Sequence, residues 1–408
     1  MQGFFAYSEY LRVVGATLCS QPWYVLKVVS VFKATDPLYL QLLAFIMALV
    51  IIHYRQRKHD SLSSVDQLWS ILPPFYVLLY NVHYYTTHGA VHQRLLLLLL
   101  LVTAWGVRLT YNLYTKAGYN KEHEDYRWQQ LRGIWFSNQL VWEIIKIGLA
   151  GFYLPLTNWL QCTLPAYVIY RGESKLQSAD FVLALIHLLF LAFEAVADHQ
   201  MFTFQHIKKV KLRSREFSNI TGDTFTDGFL QSGLYKYSRH PNYFGEIGQW
   251  FTVFLFSCVS VGFNWSVLGF LNFCVLFYQS LYFTEFYTYC KYPQWKYYAG
   301  KLNPVFPRPP NPKAKEIRIH TVAAKDMSAR AKGYFLDKNA FYFVVSFSMY
   351  LFYYYKNEHQ YVCVAVHPFT RKKENLSKKL TKFLSFLKFQ SLIPFLVQYL
   401  NRNESAAK

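Results

Sequence analysis

Residues 247–284 read Ile-Gly-Gln-Trp-Phe-Thr-Val-Phe-Leu-Phe-Ser-Cys-Val-Ser-Val-Gly-Phe-Asn-Trp-Ser-Val-Leu-Gly-Phe-Leu-Asn-Phe-Cys-Val-Leu-Phe-Tyr-Gln-Ser-Leu-Tyr-Phe-Thr, 38 residues without one Asp, Glu, Lys or Arg. A helix crossing a bilayer needs about 20 apolar residues, so this run holds two, folded around a turn at Gly262-Phe263-Asn264. Working outward, charge-free runs recur at Pro37–Tyr54, Gln67–Gln93, Leu95–Val107, Ile147–Tyr170 and Phe181–Phe193. The Leu95–Val107 run continues through Arg108 into Leu109–Tyr114, which makes Arg108 a charge inside a span. Over all 408 residues, 53 % are hydrophobic, 20 % aromatic and only 16 % charged, against about 25 % charged in a soluble domain. That composition excludes general disorder and suits a bilayer with aromatic belts. Length alone allows two or three soluble domains, and a soluble helical bundle is the competing architecture. The runs favour an all-α, polytopic membrane protein.

Seven spans are expected, near 37–54, 67–86, 95–114, 137–160, 178–203, 246–262 and 266–290. Loops after the even-numbered spans hold only Arg94, Arg171 and Lys175 as basic residues. Loops after the odd-numbered ones hold many, among them Arg55, Arg57, Lys58, Lys116, Arg127, Lys208, Lys209, Lys211, Lys291 and Lys296. Basic loops stay cytosolic, which orients the odd loops inward. No cleavable signal is legible, so the first span acts as the targeting signal into an internal membrane such as the endoplasmic reticulum. Three segments follow: residues 1–36, a membrane domain at 37–312, and a basic extension at 313–408. The proline cluster from Pro304 to Pro312 closes the membrane domain.

Net charge is +20. No groove-reading or zinc-finger pattern accompanies it, so nucleic acid is not an expected partner; anionic membrane lipid is. No obligate protein partner is inferable. The six cysteines form no C-x-x-C or disulfide framework, and no metal-ligand set is read. In the extension, residues 339–355 are uncharged and aromatic, while Lys and Arg crowd 371–388 around an amphipathic pattern. A cytosolic C-terminus is expected, with 339–355 lying on the surface, packing on the domain or re-entering the bilayer. A mistaken gene model beyond about residue 312 is the plainer alternative.

The chemistry concentrates between Glu194 and Glu246. Glu194 and Asp198 stand four residues apart on one helical face near the end of a span, where acids are expensive unless solvated, paired or functional. The basic run Lys208–Arg215 serves topology alone or holds a phosphate. Then comes Tyr237-Ser-Arg239-His240-Pro241-Asn242-Tyr243-Phe-Gly245-Glu246. Its glycines are expected to let backbone approach a ligand. Asn242 and Glu246 share a helical face and suit a carboxamide, ribose hydroxyls or a sulfonium-bearing amino acid. A simple membrane-entry turn is the alternative.

This segment resembles the cofactor motif in the C-terminal domain of the steroid 5-alpha-reductase family (3-oxo-5-alpha-steroid 4-dehydrogenases). Asp66-Gln-Leu-Trp69, Trp105-Gly-Val-Arg108-Leu-Thr-Tyr-Asn112, Glu124-Asp-Tyr-Arg-Trp128, Ala197-Asp198-His-Gln200 and Tyr292-Pro-Gln-Trp-Lys-Tyr-Tyr298 are similar to its branch of uncharacterised reductase-like membrane proteins. The resemblance covers about residues 60–310. It implies a seven-helix membrane enzyme whose cytosol-facing cavity holds NADPH and delivers hydride to the C=C bond of an α,β-unsaturated lipid, such as a steroid or polyprenoid enone. It assigns Asp198, Asn242 and Glu246 to the dinucleotide, with Arg239, His240 and Tyr243 as motif neighbours. It sets Asp66 and Trp105 at the substrate-polarising positions, apart from the cofactor, where the family has Glu and Tyr. A shorter acid and an indole cannot reproduce the family's tyrosine donor at the same reach. Tyr111 or Tyr80 is then an alternative donor, and Asp66 is equally a helix cap. The rival class is an S-adenosylmethionine-dependent isoprenylcysteine or phospholipid methyltransferase, which shares an Arg-His-Pro-x-Tyr-x-Gly pattern before a helical hairpin.

Overall fold

The computed structural model describes residues 23–120, 124–125, 127–128, 139–214, 224–292 and 294–313. The segment before residue 23 and the extension beyond 313, including the 339–355 run and the basic 371–388 cluster, lie outside the described residues. Among the described residues there are helices and no strands. In chain order they are α1 (Trp23–Ala34), α2 (Pro37–His59), α3 (Ser63–Trp69), α4 (Leu72–His88), α5 (Gln93–Thr115) and α6 (Gln139–Ile145). A π-helix (Lys146–Tyr153) leads into α7 (Leu154–Arg171). Then come α8 (Ser178–Ser214), α9 (Thr224–Asp227), a 3₁₀ turn (Gly233–Lys236), α10 (Pro241–Val261), α11 (Val267–Lys291) and α12 (Trp295–Lys301).

Four of these are long and apolar enough to cross a membrane: α2, α5, α8 through Val210, and α10. Their outward residues include Met47, Val50, Leu100, Val107, Leu185 and Leu189, all exposed. A lipid-facing surface carries such side chains; a water-facing one rarely does over this extent. The expected span at 67–86 is instead two helices, α3 and α4, parted at Ser70-Ile71. Pro73 and Pro74 supply no amide to bond backward, so the chain restarts there. The expected span at 137–160 is described from Gln139 onward and runs eleven residues past its expected end, to Arg171, because polar punctuation arrives only at Gly172.

Local chemistry fixes the helix ends. Asp36 caps α2 by accepting from the Leu38 amide at 2.9 Å, with Pro37 at the first helical position. Gly89 ends α4 in the left-handed region, φ 66°, a conformation that costs glycine nothing. His92 caps α5 through Nδ1, which accepts from the Leu95 amide at 3.2 Å.

α7 is the central helix, buried on most faces and packed by α2, α4, α5, α10 and α11. Two of its polar residues bond across the core: Asn158 donates to the Trp69 carbonyl at 3.0 Å, and Thr157 accepts from Asn272 at 2.8 Å. Around it sit Tyr80, Leu98, Trp105, Trp250 and Phe273, in one core with its own Cys162. At one end of the bundle, fully buried Arg94 grips Asp180 with two bonds, 2.8 and 2.9 Å, and donates to the Glu173 and Lys175 carbonyls. Arg94 was legible only as a loop charge. It pins the start of α5 to the start of α8 and closes the 172–177 connection.

The most extensive helix pair is α8 with α10. A Cβ on Gly245 would stand 2.6 Å from that of Glu194 and 3.0 Å from the Phe190 carbonyl, and Gly248 faces the Phe190 ring. These two glycines therefore let helix meet helix. Gly228 and Gly233 are likewise filled by Tyr292 and Gln200. The expectation that the motif glycines admit a ligand gives way to close packing within the protein.

Candidate functional site

The α8–α10 contact brings Glu194, Asp198 and Glu246 together, and α5 lays Arg108 between them. Arg108 donates to Asp198 at 2.6 Å and to Glu194 at 2.7 Å, and stands 3.6 Å from Glu246. None of the four side chains is more than 13 % exposed. Each carboxylate has further donors. The indoles of Trp105 and Trp250 donate to the two oxygens of Glu246 at 2.9 and 3.0 Å. Asn112 donates to Asp198 at 2.8 Å, and Gln249 to Glu194 at 2.6 Å. Two buried polar atoms of this centre have no partner among the described residues: Arg108 Nε and Gln249 Oε1. A buried ion cluster persists only when its charges are paired and hydrogen-bonded; here every carboxyl is hydrogen-bonded, but one cation serves all three. The formal balance is one cation against three anions.

The head of α10 carries the rest of the motif. Arg239 spends Nε and Nη2 on Glu285 (2.7 and 3.1 Å) and Nη1 on the Ala299 and Leu302 carbonyls (2.8 and 3.2 Å), beneath the Trp295 ring. His240 adds a 3.2 Å contact to Glu285 and stacks near Tyr243, whose hydroxyl meets Ser280 at 3.0 Å. These residues tie α10, α11 and α12 into one frame. Asn242 differs. Its half-buried carboxamide has no hydrogen-bond partner among the described residues. Of the basic run, Lys208 is committed to the Gly228 carbonyl and the Tyr292 hydroxyl, while Lys209 is exposed.

The two substrate-side candidates separate. Trp105 does not stand apart from the cofactor-assigned residues, because α5 packs on α10 and turns its indole onto Glu246. Asp66 sits on α3, where it accepts from the Trp128 indole at 3.2 Å. Arg127 beside it is paired with Asp125 at 2.8 Å. Burial outweighs the neighbouring arginine and pushes the Asp66 carboxyl up to about 6. Tyr80 is buried, its hydroxyl donating to the Thr163 carbonyl at 3.4 Å, and Tyr111 is exposed. Arg108 was legible as a buried charge without a named partner, and Glu194 as half of an acidic pair. Gln249 and Trp250 read as plain span residues; only the helix register, three and four positions after Glu246, could have placed them.

An all-helical membrane-type bundle with a buried Arg–carboxylate centre is thus the class that the fold and site define. A family model described as "Protein of unknown function (DUF1295)" matches residues 23–301, and the chain belongs to that family. An uncharacterised protein of Schizosaccharomyces pombe is 30 % identical over 259 residues, covering 60 % of this chain and 72 % of its own length. No solved structure matches the chain.

Proposed function

We propose that the protein is an NADPH-dependent membrane reductase that adds hydride to the C=C bond of an α,β-unsaturated lipid, in a seven-span domain of an internal membrane. The observation that carries this reading is the convergence on Arg108 of Asp198 and Glu246, two of the residues that the reductase resemblance assigns to the dinucleotide, with the third, Asn242, one helical turn before Glu246 on α10. The residues fit such a group. The Asn242 amide has no partner among the described residues and suits a carboxamide, and carboxylates suit ribose hydroxyls. Arg239 and His240 act as positioning residues, since their polar atoms are turned to Glu285 and to carbonyls of the following hairpin. The bound dinucleotide supplies the hydride; the chain's task is to orient it and keep water out.

One observation favours a second reading. The surplus of carboxylates over cations at Arg108 also complements the sulfonium and ammonium of S-adenosylmethionine, the methyltransferase cofactor. Titrating the purified protein with NADPH and S-adenosylmethionine in parallel, and following thermal stability, separates the two. A rise in Tm with NADPH alone supports the reductase; a rise with S-adenosylmethionine alone overturns it.

A further inference from the structure

Three carboxyl groups share one guanidinium among α5, α8 and α10, so the centre keeps a net negative charge even with one proton held between the neighbouring Glu194 and Glu246 carboxyls. Neutral donors, the two indoles and the Asn112 and Gln249 amides, spread that charge without cancelling it. Gln249 adds to it. Its side chain is 1 % exposed, its nitrogen is spent on Glu194, and its oxygen is a buried acceptor that no described group meets. An unmet acceptor beside surplus carboxylates is complementary to an electron-poor ligand group, and hostile to phosphate. In a setting of low dielectric, such a field acts at several ångströms with little screening.

We infer that this centre faces the reactive ring of the dinucleotide and binds its oxidised, cationic form more tightly than its reduced, neutral form. The inference rests on the reductase reading and deepens it. The two forms share their adenosine, riboses and phosphates and differ by one positive charge on the nicotinamide. A site that prefers the cation makes the bound reduced cofactor a stronger hydride donor than the free one, because loss of hydride creates the charge the site favours. The phosphates then lie away from Arg108, toward the end of α8 where Lys209 is exposed.

The test is a ratio of affinities, which cancels everything the two forms share and any general weakening of the fold. Dissociation constants for NADPH and NADP⁺ are measured by calorimetry on the purified full-length protein and on four variants. Glu194→Gln and Glu246→Gln each remove one carboxyl at constant shape, and together they remove the surplus negative charge. The double variant leaves Arg108 balanced by Asp198 alone. Trp105→Phe removes a donor without changing charge. The wild-type protein is expected to bind NADP⁺ more tightly than NADPH. The double variant is expected to lose that preference by roughly tenfold or more, since a contacting charge moves an ionic equilibrium by about one to three pK units. Trp105→Phe should keep the ratio within about twofold. A ratio unchanged in the double variant, or a wild-type preference for NADPH, overturns the inference while leaving the reductase reading intact. Binding of neither dinucleotide to the wild-type protein overturns the reading beneath it.

Discussion

Asp66 shows how one half-buried carboxyl makes stability depend on pH. Burial raises its folded pKa from 3.8 to about 6, against the opposing pull of Arg127 and the Trp128 indole bond. Unfolded, it ionises near 4. Between these values the folded state binds more protons, so stability falls as pH rises from about 4 to 6, and the cost is fully present above that window. Asp66→Asn keeps an acceptor for Trp128 and removes the ionisation. The variant is expected to unfold with the wild-type Tm near pH 4 and to exceed it at pH 7–8, by an amount on the order of 1 kcal/mol after allowance for partial exposure. Thermal melts of both proteins across that range check it; a pH-independent difference would refute the assignment. Asn242 and Glu246 carry a different expectation. Asn242→Ala or Glu246→Ala should weaken NADPH binding about five- to 150-fold, the equivalent of roughly 1–3 kcal/mol of lost hydrogen bonding. Unchanged affinity in both would remove them from the cofactor site. Residue types made Asn242 and Glu246 legible, and the family resemblance alone pointed to Asp66. The sequence could not show which of their neighbours had already been claimed: Arg239 looked as available as Asn242 until Glu285 and two carbonyls took its donors.

At the scale of elements, two contacts hold the site in shape. Gly245 lets α10 approach α8 so closely that a side chain there would collide with Glu194 and the Phe190 carbonyl. Gly245→Val should therefore cost about 1–3 kcal/mol through overpacking and separate the carboxylates of the two helices. A fall in detergent-solubilised Tm together with weaker ligand binding is the expected result, and an unchanged Tm would mean the helices have room to spare. At the opposite end, Arg94→Met leaves Asp180 buried without its partner, a loss of roughly 3–5 kcal/mol, whereas Arg94→Met with Asp180→Leu should recover much of it. If the double variant is no more stable than the single, the pair is not what holds the ends of α5 and α8. Long charge-free runs announced α2, α5, α8 and α10 because periodicity and hydropathy are local properties. The break between α3 and α4 was also encoded, in Pro73-Pro74, but a hydropathy reading passes over it. Charge pairs such as Arg94–Asp180 span 86 positions in the sequence, and nothing local points from one partner to the other.

For the whole molecule, the lasting question is which way it crosses the membrane. Four helices have the length and composition to cross, and α4, α7 and α11 complete the bundle around them. Four crossings would return the chain to its starting side; seven would not. Charge placement breaks that ambiguity independently of the helix count. The segment following α5 carries Lys116, Lys121, Arg127 and Arg132, whereas the connection from α7 to α8 carries only Arg171 and Lys175. Basic segments resist translocation, which predicts the first of these in the cytosol and the second on the opposite side of the membrane. The same rule applies to the C-terminal extension, where Arg371, Lys372, Lys373, Lys378, Lys379, Lys382 and Lys388 fall within 18 residues. A single crossing at 339–355 would carry all seven into the lumen, against an energetic bias of about 1 kcal/mol for each basic residue held near the anionic cytosolic surface. Glycosylation reporters inserted after Asn120, after Ser174 and after Lys408 are therefore expected to be unmodified, modified and unmodified in turn. Modification after Lys408 would establish a further crossing and carry the basic cluster to the lumen. Modification after Asn120 would invert the domain, turning the Arg108 end of α5 away from the cytosolic supply of dinucleotide and removing the topological basis for a reductase.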